Sequence, residues 1–295
     1  MVGFFYAKII IMMKSLLEYI KEAEEKKIAI GHFNVSDSEG FKAVVESAKE
    51  LGVPVIIGVS ENERSFLGVA EIRALVQVEK EKGQPVFLNA DHTYSVEASK
   101  EAINNNFDSV IIDGAEKPFF ENEMMTIEVV KYAKEKNPNI LVEGELGFIG
   151  SGSTLRDEIP DGVSPATQTH PEDAQKFVEE TMVDLFAPSV GNVHGLIRTG
   201  EPKLNIPLIK KIHKAVGVPL VLHGASGNTD EEVRKAIEAG ISVVHINTEL
   251  RLAYKKGIEK GIMSSDEIAP YKFMAEGVEE MKKIVRAKLK VFNRI

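Results

Sequence analysis

The chain has no cysteine. Disulfides, a thiolate nucleophile and cysteine-rich zinc sites are thereby excluded, so any transition metal must be held by histidines and carboxylates. A surplus of positive charge is also missing. The 36 Lys and Arg stand against 45 Asp and Glu, a net charge of -9. That argues against non-specific nucleic-acid binding, although local phosphate pockets remain compatible with it. No apolar run is long enough to span a bilayer. The N-terminal MVGFFYAKIIIMMK comes nearest, but Lys8 interrupts it and no small-residue cleavage site follows. Residues 1–13 read as an extension of uncertain role or a mis-assigned start. A docked extra strand is the structural alternative, and a signal peptide is disfavoured. A cytoplasmic location fits the lack of cysteine. Hydrophobic residues make up 43% of the 295, ample for one large core.

Val86 to His92, VFLNADH, organises the rest. It starts as a buried strand and ends in Asn89, Asp91 and His92, groups that a buried strand does not tolerate. In parallel α/β folds such an end lies in a site. If the strand continues regularly, Asp91 and His92 face opposite sides. Seven further segments have a similar form: KIAIGHFNV (27–35), VPVIIGVS (53–60), FDSVIIDG (107–114), ILVEGELG (140–147), VDLFAPSVG (183–191), VPLVLHGASG (218–227) and ISVVHINT (241–248). Helical stretches separate them, with Ser36-Asp37 and Ser95 as N-caps and Pro171 opening another. Eight short apolar strands alternating with helices imply a parallel sheet covered on both faces. Eight such units favour a single (β/α)8 barrel with extra N- and C-terminal helices. No linker composition divides residues 14–295, which read as one domain. The Gly/Ser/Pro-rich loop at about 148–170 is too long for an inert connection and reads as a mobile lid.

Ionisable residues gather at the strand ends. Asp91-His92, Asp113, and Glu143 with Glu145 end the third, fourth and fifth strands. His194 follows the sixth, His223 ends the seventh, and the eighth carries His245, Asn247 and Thr248. Four of the seven histidines therefore fall at one rim, which core packing does not easily explain. Three neutral imidazoles with an open position suit catalytic Zn²⁺. The glycines of His194-Gly195 and His223-Gly224-Ala225-Ser226-Gly227 free backbone amides to cradle phosphate oxygens. Asn247-Thr248 ahead of the last helices adds a donor and an anion site. The plain alternative for these glycines is tight βα turns. His32 reads as packing, His213 as exposed on a Lys-rich helix, and His170 as a lid residue before a proline. KKIHK and KKGIEKG read as charged helix faces.

Taken in order, GHFNV, VFLNADH, SVIIDG, VEGELG, GNVHG, LVLHGASG and HINTELR resemble the motifs of class II, zinc-dependent ketose-bisphosphate aldolases. The similarity runs from about Lys14 to Tyr254 and points to the branch that holds the fructose- and tagatose-bisphosphate enzymes. The resemblance implies His92, His194 and His223 as zinc ligands. It implies Asp91 as the acid/base that exchanges a proton with the substrate C4 hydroxyl, and Asp113 and Glu145 as a second metal position. Ser60, Gly195, Gly224, Ala225, Ser226, Asn247 and Thr248 match substrate- and phosphate-contacting positions, and Arg251 a reader of the far phosphate. A monovalent cation beside the Zn²⁺, and a homodimer or homotetramer, are compatible with the same resemblance.

Three departures stand out. The family usually has Asn where this chain has His245, and replacement of that Asn's hydrogen bond is the favoured reading. The loop after ELG usually carries a glutamate that moves the proton at the dihydroxyacetone-phosphate carbon, but here the aligned positions are Ser151 and Ser153. Glu158 or Asp157 could fill that role if the loop folds inward; solvated loop charges are the equal alternative. Arg198 stands where many members carry Lys, and Asn247 does not choose between C4 epimers. The sequence thus leads to reversible, metal-dependent cleavage of a ketose 1,6-bisphosphate, with fructose 1,6-bisphosphate ahead of tagatose 1,6-bisphosphate. The partners are phosphorylated ketoses and triose phosphates, not nucleic acid or membrane. A catalytically silent phosphosugar-binding relative is the rival reading. A metal-dependent hydrolase is disfavoured because the first strand has no His-x-His pair.

Overall fold

A computed structural model describes residues 14–199 and 202–295; the N-terminal extension lies outside the described residues. Ten strands occur among them: β1 (Ile30–Asn34), β2 (Val55–Val59), β3 (Val86–Thr93), β4 (Ser109–Ile112), β5 (Leu141–Leu146), β6 (Leu155–Arg156), β7 (Leu185–Pro188), β8 (Leu196–Ile197), β9 (Leu220–Leu222) and β10 (Ile241–Ile246). Eight close into a barrel in the order β1-β10-β9-β7-β5-β4-β3-β2, and β6 and β8 form a separate ribbon. Each barrel pairing is parallel. This is the (β/α)8 architecture that the strand–helix alternation implies. Among the described residues no helix is long and apolar enough to cross a membrane.

The helix starts follow the expected chemistry. The Asp37 side chain accepts from Gly40 N ahead of the helix Ser38–Leu51, and Ser95 accepts from Ala98 N ahead of Val96–Asn104. Pro171 opens the helix Pro171–Thr181, where its missing N–H costs nothing. The helix Val69–Glu81 leads into β3, and a further short helix, Glu61–Leu67, precedes it across Gly68.

Alternate strand residues face opposite sides, and this sorts the chain into layers. The outward set, Phe33, Ile57, Leu88, Val142 and Phe186 among it, packs in the main core. The inward set begins apolar, with Ile30, Ile56, Phe87, Leu141, Val221 and Val243 in a cluster of their own. Leu16, Ile20 and Ala23 of the helix Leu16–Lys26 plug that floor. Two residues along each strand the inward positions become His32, Gly58, Asn89, Glu143, His223 and His245. Two further on they are Asn34, Ser60, Asp91, Glu145, Ala225 and Asn247. The barrel interior thus runs from apolar floor to ionisable mouth.

The C-terminal helix Ala275–Asn293 closes the outside of β1, with Val285, Leu289 and Phe292 fully buried. Ala29 N donates to the Phe292 carbonyl at 3.0 Å. Leu289→Ala is expected to cost about 2–5 kcal/mol of stability, since it opens a cavity against β1. Urea unfolding followed by circular dichroism checks this.

Candidate active site

One ring nitrogen of each of His92, His194 and His223 lies within 4.8 Å of the others. The opposite nitrogen of each ring is already engaged. Asp113 Oδ2 lies 2.8 Å from His92 Nδ1, the Gly150 carbonyl 2.7 Å from His194 Nδ1, and Glu143 Oε1 2.6 Å from His223 Nε2. An acceptor at the outer nitrogen keeps the proton there and leaves the inner nitrogen a lone pair. His92 Nε2 and His223 Nδ1 then face each other at 3.2 Å. Two lone pairs at that distance repel unless a proton or cation lies between them. The donor set therefore fits a divalent metal, with imidazoles as ligands and carboxylates or a carbonyl orienting them.

The electrostatics agree. Asp91, Asp113, Glu143 and Glu145 surround the cluster, and Glu145 Oε2 and Asp91 Oδ1 are buried with no hydrogen-bond partner among the described residues. Burial raises Glu143 to about 8 and pushes Glu145 well above the usual carboxylate range, with Asp113 adding to the latter. Burial also lowers His194 and His223 to about 3, and the charge of His92 adds to it. His92 itself rises to about 10; burial opposes this, but Asp91, the Asp113 hydrogen bond and Glu145 outweigh it. Asp91 and Asp113 are held low against burial, chiefly by the charge on His92 and the bond to His92 respectively. A proton on His92 stands in for a cation, and a bound divalent ion would replace it. Asp113 and Glu145 form a second cluster with His92.

Regular alternation would send Asp91 and His92 to opposite faces, and the structure corrects that expectation. The β3–β4 pairing slips between Ala90 and Thr93, and His92 takes a φ of 27°. For a residue other than glycine such a backbone costs on the order of 1–3 kcal/mol. It turns both side chains into the mouth, His92 Nε2 lying 3.8 Å from Asp91 Oδ1. Asp91 Oδ2 accepts from Asn34 Nδ2 at 2.8 Å, which leaves Oδ1 facing His92 and His245.

Gly195, Gly224, Ser226, His245, Asn247 and Thr248 line one narrow cavity with Asp91 and the three histidines, and Ala225 is buried beside it. Gly195 takes a φ of 98°, and a Cβ there would meet the Thr154 carbonyl at 2.5 Å. Asn247 precedes the 16-residue helix Thr248–Met263, whose first N–H groups face the mouth. Its Oδ1 is buried without a partner among the described residues. The cavity measures ≈ 30 Å³, roughly one water's share of liquid volume. A larger one of ≈ 470 Å³ opens past His194, lined by Tyr94, Asp113, Glu145, Phe148 and Ser151. Of the loop at 148–170, Ser153 lines the narrow cavity and Phe148, Gly150 and Ser151 line the larger one.

That loop lies differently from one sequence expectation. Glu158 and Asp157 are exposed, and neither lines the mouth. The β6–β8 ribbon pins this turn outward: Leu196 N donates to Thr154 O and Arg198 N to Arg156 O, both at 2.9 Å. Gly150, Ser151 and Ser153 reach the mouth instead. Arg198 is drawn to Asp157 at 2.9 Å on the exposed side of the ribbon, away from the nest. The Ser60 hydroxyl bonds Glu63 Oε2 at 2.9 Å as part of a helix capping box, outside the nest lining. Arg251 sits at the rim, with one guanidinium nitrogen 2.6 Å from Glu63 Oε1 and another 3.3 Å from the Ser153 carbonyl.

His213, expected to be exposed, is half-buried and bonded to Glu24 at 2.6 Å, because the helix Leu16–Lys26 packs beside it. Sequence reasoning missed Asn34, whose amide donates to both Asp91 Oδ2 and Glu63 Oε2 at 2.8 and 2.9 Å. The available signal was its position four residues after Ile30, the same inward register that places Asp91 four after Phe87.

The fold and the mouth together define a metal-binding (β/α)8 enzyme. The family described as "Fructose-bisphosphate aldolase class-II" matches residues 14–295, and the chain belongs to it. Its members are metal-dependent lyases of phosphosugars. The chain is 35% identical over 285 residues to the fructose-bisphosphate aldolase of Staphylococcus aureus, which covers 95% of this chain and 96% of that one. The crystal structure of the YdjI aldolase from Escherichia coli K12 is similar with a TM-score of 0.82 and 30% identity, over 95% of this chain and 97% of that one. The fructose-bisphosphate aldolase structure from Campylobacter jejuni, at TM-score 0.79 and 22% identity over 94% of each chain, bears on the fold alone.

Two outcomes follow from this geometry. At pH 7 metal-free His92 and Glu143 are protonated, so uptake of a divalent ion should expel protons. Apparent affinity should then strengthen as pH rises, steeply up to about 8 and less steeply from there to about 10. Calorimetry in buffers of different ionisation enthalpy measures the release, and finding none contradicts the ligand assignment. Glu158→Gln should change turnover by less than about twofold, as for a solvated surface residue. Loss of proton exchange into dihydroxyacetone phosphate in that variant would mean that the loop swings Glu158 inward.

Proposed function

We propose that the chain reversibly cleaves fructose 1,6-bisphosphate to dihydroxyacetone phosphate and glyceraldehyde 3-phosphate, using Zn²⁺ held by His92, His194 and His223. The observation that carries this is the convergence of three outer-tethered imidazoles with the carboxylate of Asp91 beside them. When bound, the metal supplies Lewis acidity to the substrate's C2 carbonyl and C3 hydroxyl oxygens. The backbone amides around Gly195 and Gly224, the Ser226 hydroxyl and the helix start at Thr248 hold a phosphate. Asn247 and His245 line the three-carbon ketone end, and Arg251 at the rim suits the far phosphate. As the C3–C4 bond breaks, its electron pair stays on the ketone fragment, and a proton taken from solvent at that carbon completes dihydroxyacetone phosphate. Asp91 Oδ1 takes the C4 hydroxyl proton, so that the aldehyde can form, and returns it in condensation. During condensation a lid closed over the mouth keeps bulk water from protonating that carbon before it adds to the aldehyde.

Among the described residues no carboxylate of the 148–170 loop lines the mouth, which favours one second reading, a silent phosphosugar-binding relative. Exposed Met263, Ile268 and Tyr271, at 87%, 89% and 74%, lie at the end of the helix Thr248–Met263 and in the segment before the last helix, and support a homo-oligomer.

A coupled assay tests the function. Offered fructose and tagatose 1,6-bisphosphates, the enzyme should release triose phosphates, faster from the fructose epimer, and chelator should stop both reactions. Asp91→Asn should lower kcat about 10²–10⁴-fold while metal content stays intact. Tight binding without turnover would support the silent relative.

A further inference from the structure

Below the mouth, His32 and His245 are register partners on β1 and β10. Their rings stack with centroids 3.4 Å apart and 5° from parallel. His32 is fully buried. Its Nε2 lies 3.0 Å from Asn89 Oδ1. The Asn89 amide is turned that way by its own Nδ2, which donates to Ser109 Oγ at 2.8 Å. The proton of His32 therefore sits on Nε2, and Nδ1 has no partner among the described residues. The remaining edge of the ring rests on Gly58, where any Cβ would lie 2.0 Å from His32 Cε1. A stack, a hydrogen bond and a missing side chain thus fix one imidazole in one plane.

His32, Asp91 and His245 each offer an atom within 4.8 Å of the others. A shared metal ion is nevertheless excluded, because an imidazole lone pair lies in the ring plane and two parallel stacked planes share no point. The stack has a different consequence. His245 Nδ1 faces Asp91 Oδ1 at 3.5 Å, while Asn34 already holds Oδ2. Once His92 Nε2 serves as a metal ligand, His245 is the ring left facing Oδ1, in contact with it though not hydrogen-bonded to it.

We propose that His32 is a positioning residue for the aldol step: its stacked ring sets the plane of His245, which holds the proton-exchanging oxygen of Asp91 in place. This rests on the aldolase reading above and deepens it. The role is distinct from packing because it acts on one half-reaction. Asp91 handles the C4 hydroxyl proton, whereas exchange of the dihydroxyacetone-phosphate carbon proton with solvent involves no C4 hydroxyl.

The test uses the metal-loaded full chain, with metal content and melting temperature measured for every variant. His32→Ala should lower kcat for cleavage about 10- to 100-fold, with KM little changed and solvent exchange into dihydroxyacetone phosphate retained. His32→Gln keeps a flat donor toward Asn89 and should recover most of the loss. Gly58→Ala displaces the ring without altering any mouth side chain; it should reproduce the cleavage defect, and it carries the test if His32→Ala fails to fold. Full cleavage in both His32→Ala and Gly58→Ala overturns the proposal, as does exchange that falls in step with cleavage in folded, metal-loaded variants. A parent enzyme that performs neither cleavage nor exchange overturns the function, and this inference with it.

Discussion

Each mouth imidazole has its outer nitrogen on a fixed acceptor, Asp113 for His92, the Gly150 carbonyl for His194 and Glu143 for His223. These three bonds decide where the protons sit and therefore which lone pairs point inward. The remaining features of the mouth follow. With inward lone pairs close together, a positive charge must be present, and carboxylates around it are tolerable only because of it. One of the three tethers comes from the lid, so loop position and ligand orientation are linked through Gly150. The β6–β8 ribbon strengthens that link, since it ties the lid to the segment directly after His194.

The barrel makes this affordable through its interior gradient. Helix Leu16–Lys26 closes the floor with aliphatic side chains, and each step of two residues toward the strand ends exchanges packing for polarity. The middle layer is polar and buried. His32 Nε2, Asn89 and Ser109 are linked by hydrogen bonds there, His32 Nδ1 has no partner among the described residues, and the layer lies directly beneath the reacting one. An unpaired polar group at this depth costs on the order of 1–3 kcal/mol, so such a layer is retained only where it orients something.

Much of this was legible in the residues. The eight strands, most of their helices and the caps at Asp37, Ser95 and Pro171 could be read because periodicity and capping are local. The three histidines and Asp91 could be read because strand ends of a parallel barrel share one rim. The reading went astray where neighbours in space decide. Asp91 and His92 share the mouth because β3 slips against β4. Arg198 and Glu158 miss it because a two-residue ribbon, too short to show in any pattern, turns their loop outward. His213 is half-buried because a helix nearly two hundred residues earlier lies against it.

The sequence alone therefore determined the architecture, the rim and the chemical type of each group on it, since period-two burial and residue identity are properties of the chain itself. The tertiary structure alone decided which nitrogen of each histidine faces inward, which oxygen of Asp91 is free, and that His32 stacks beneath His245. Those depend on hydrogen bonds and ring contacts between segments far apart in the chain, and no local pattern encodes the distance between them.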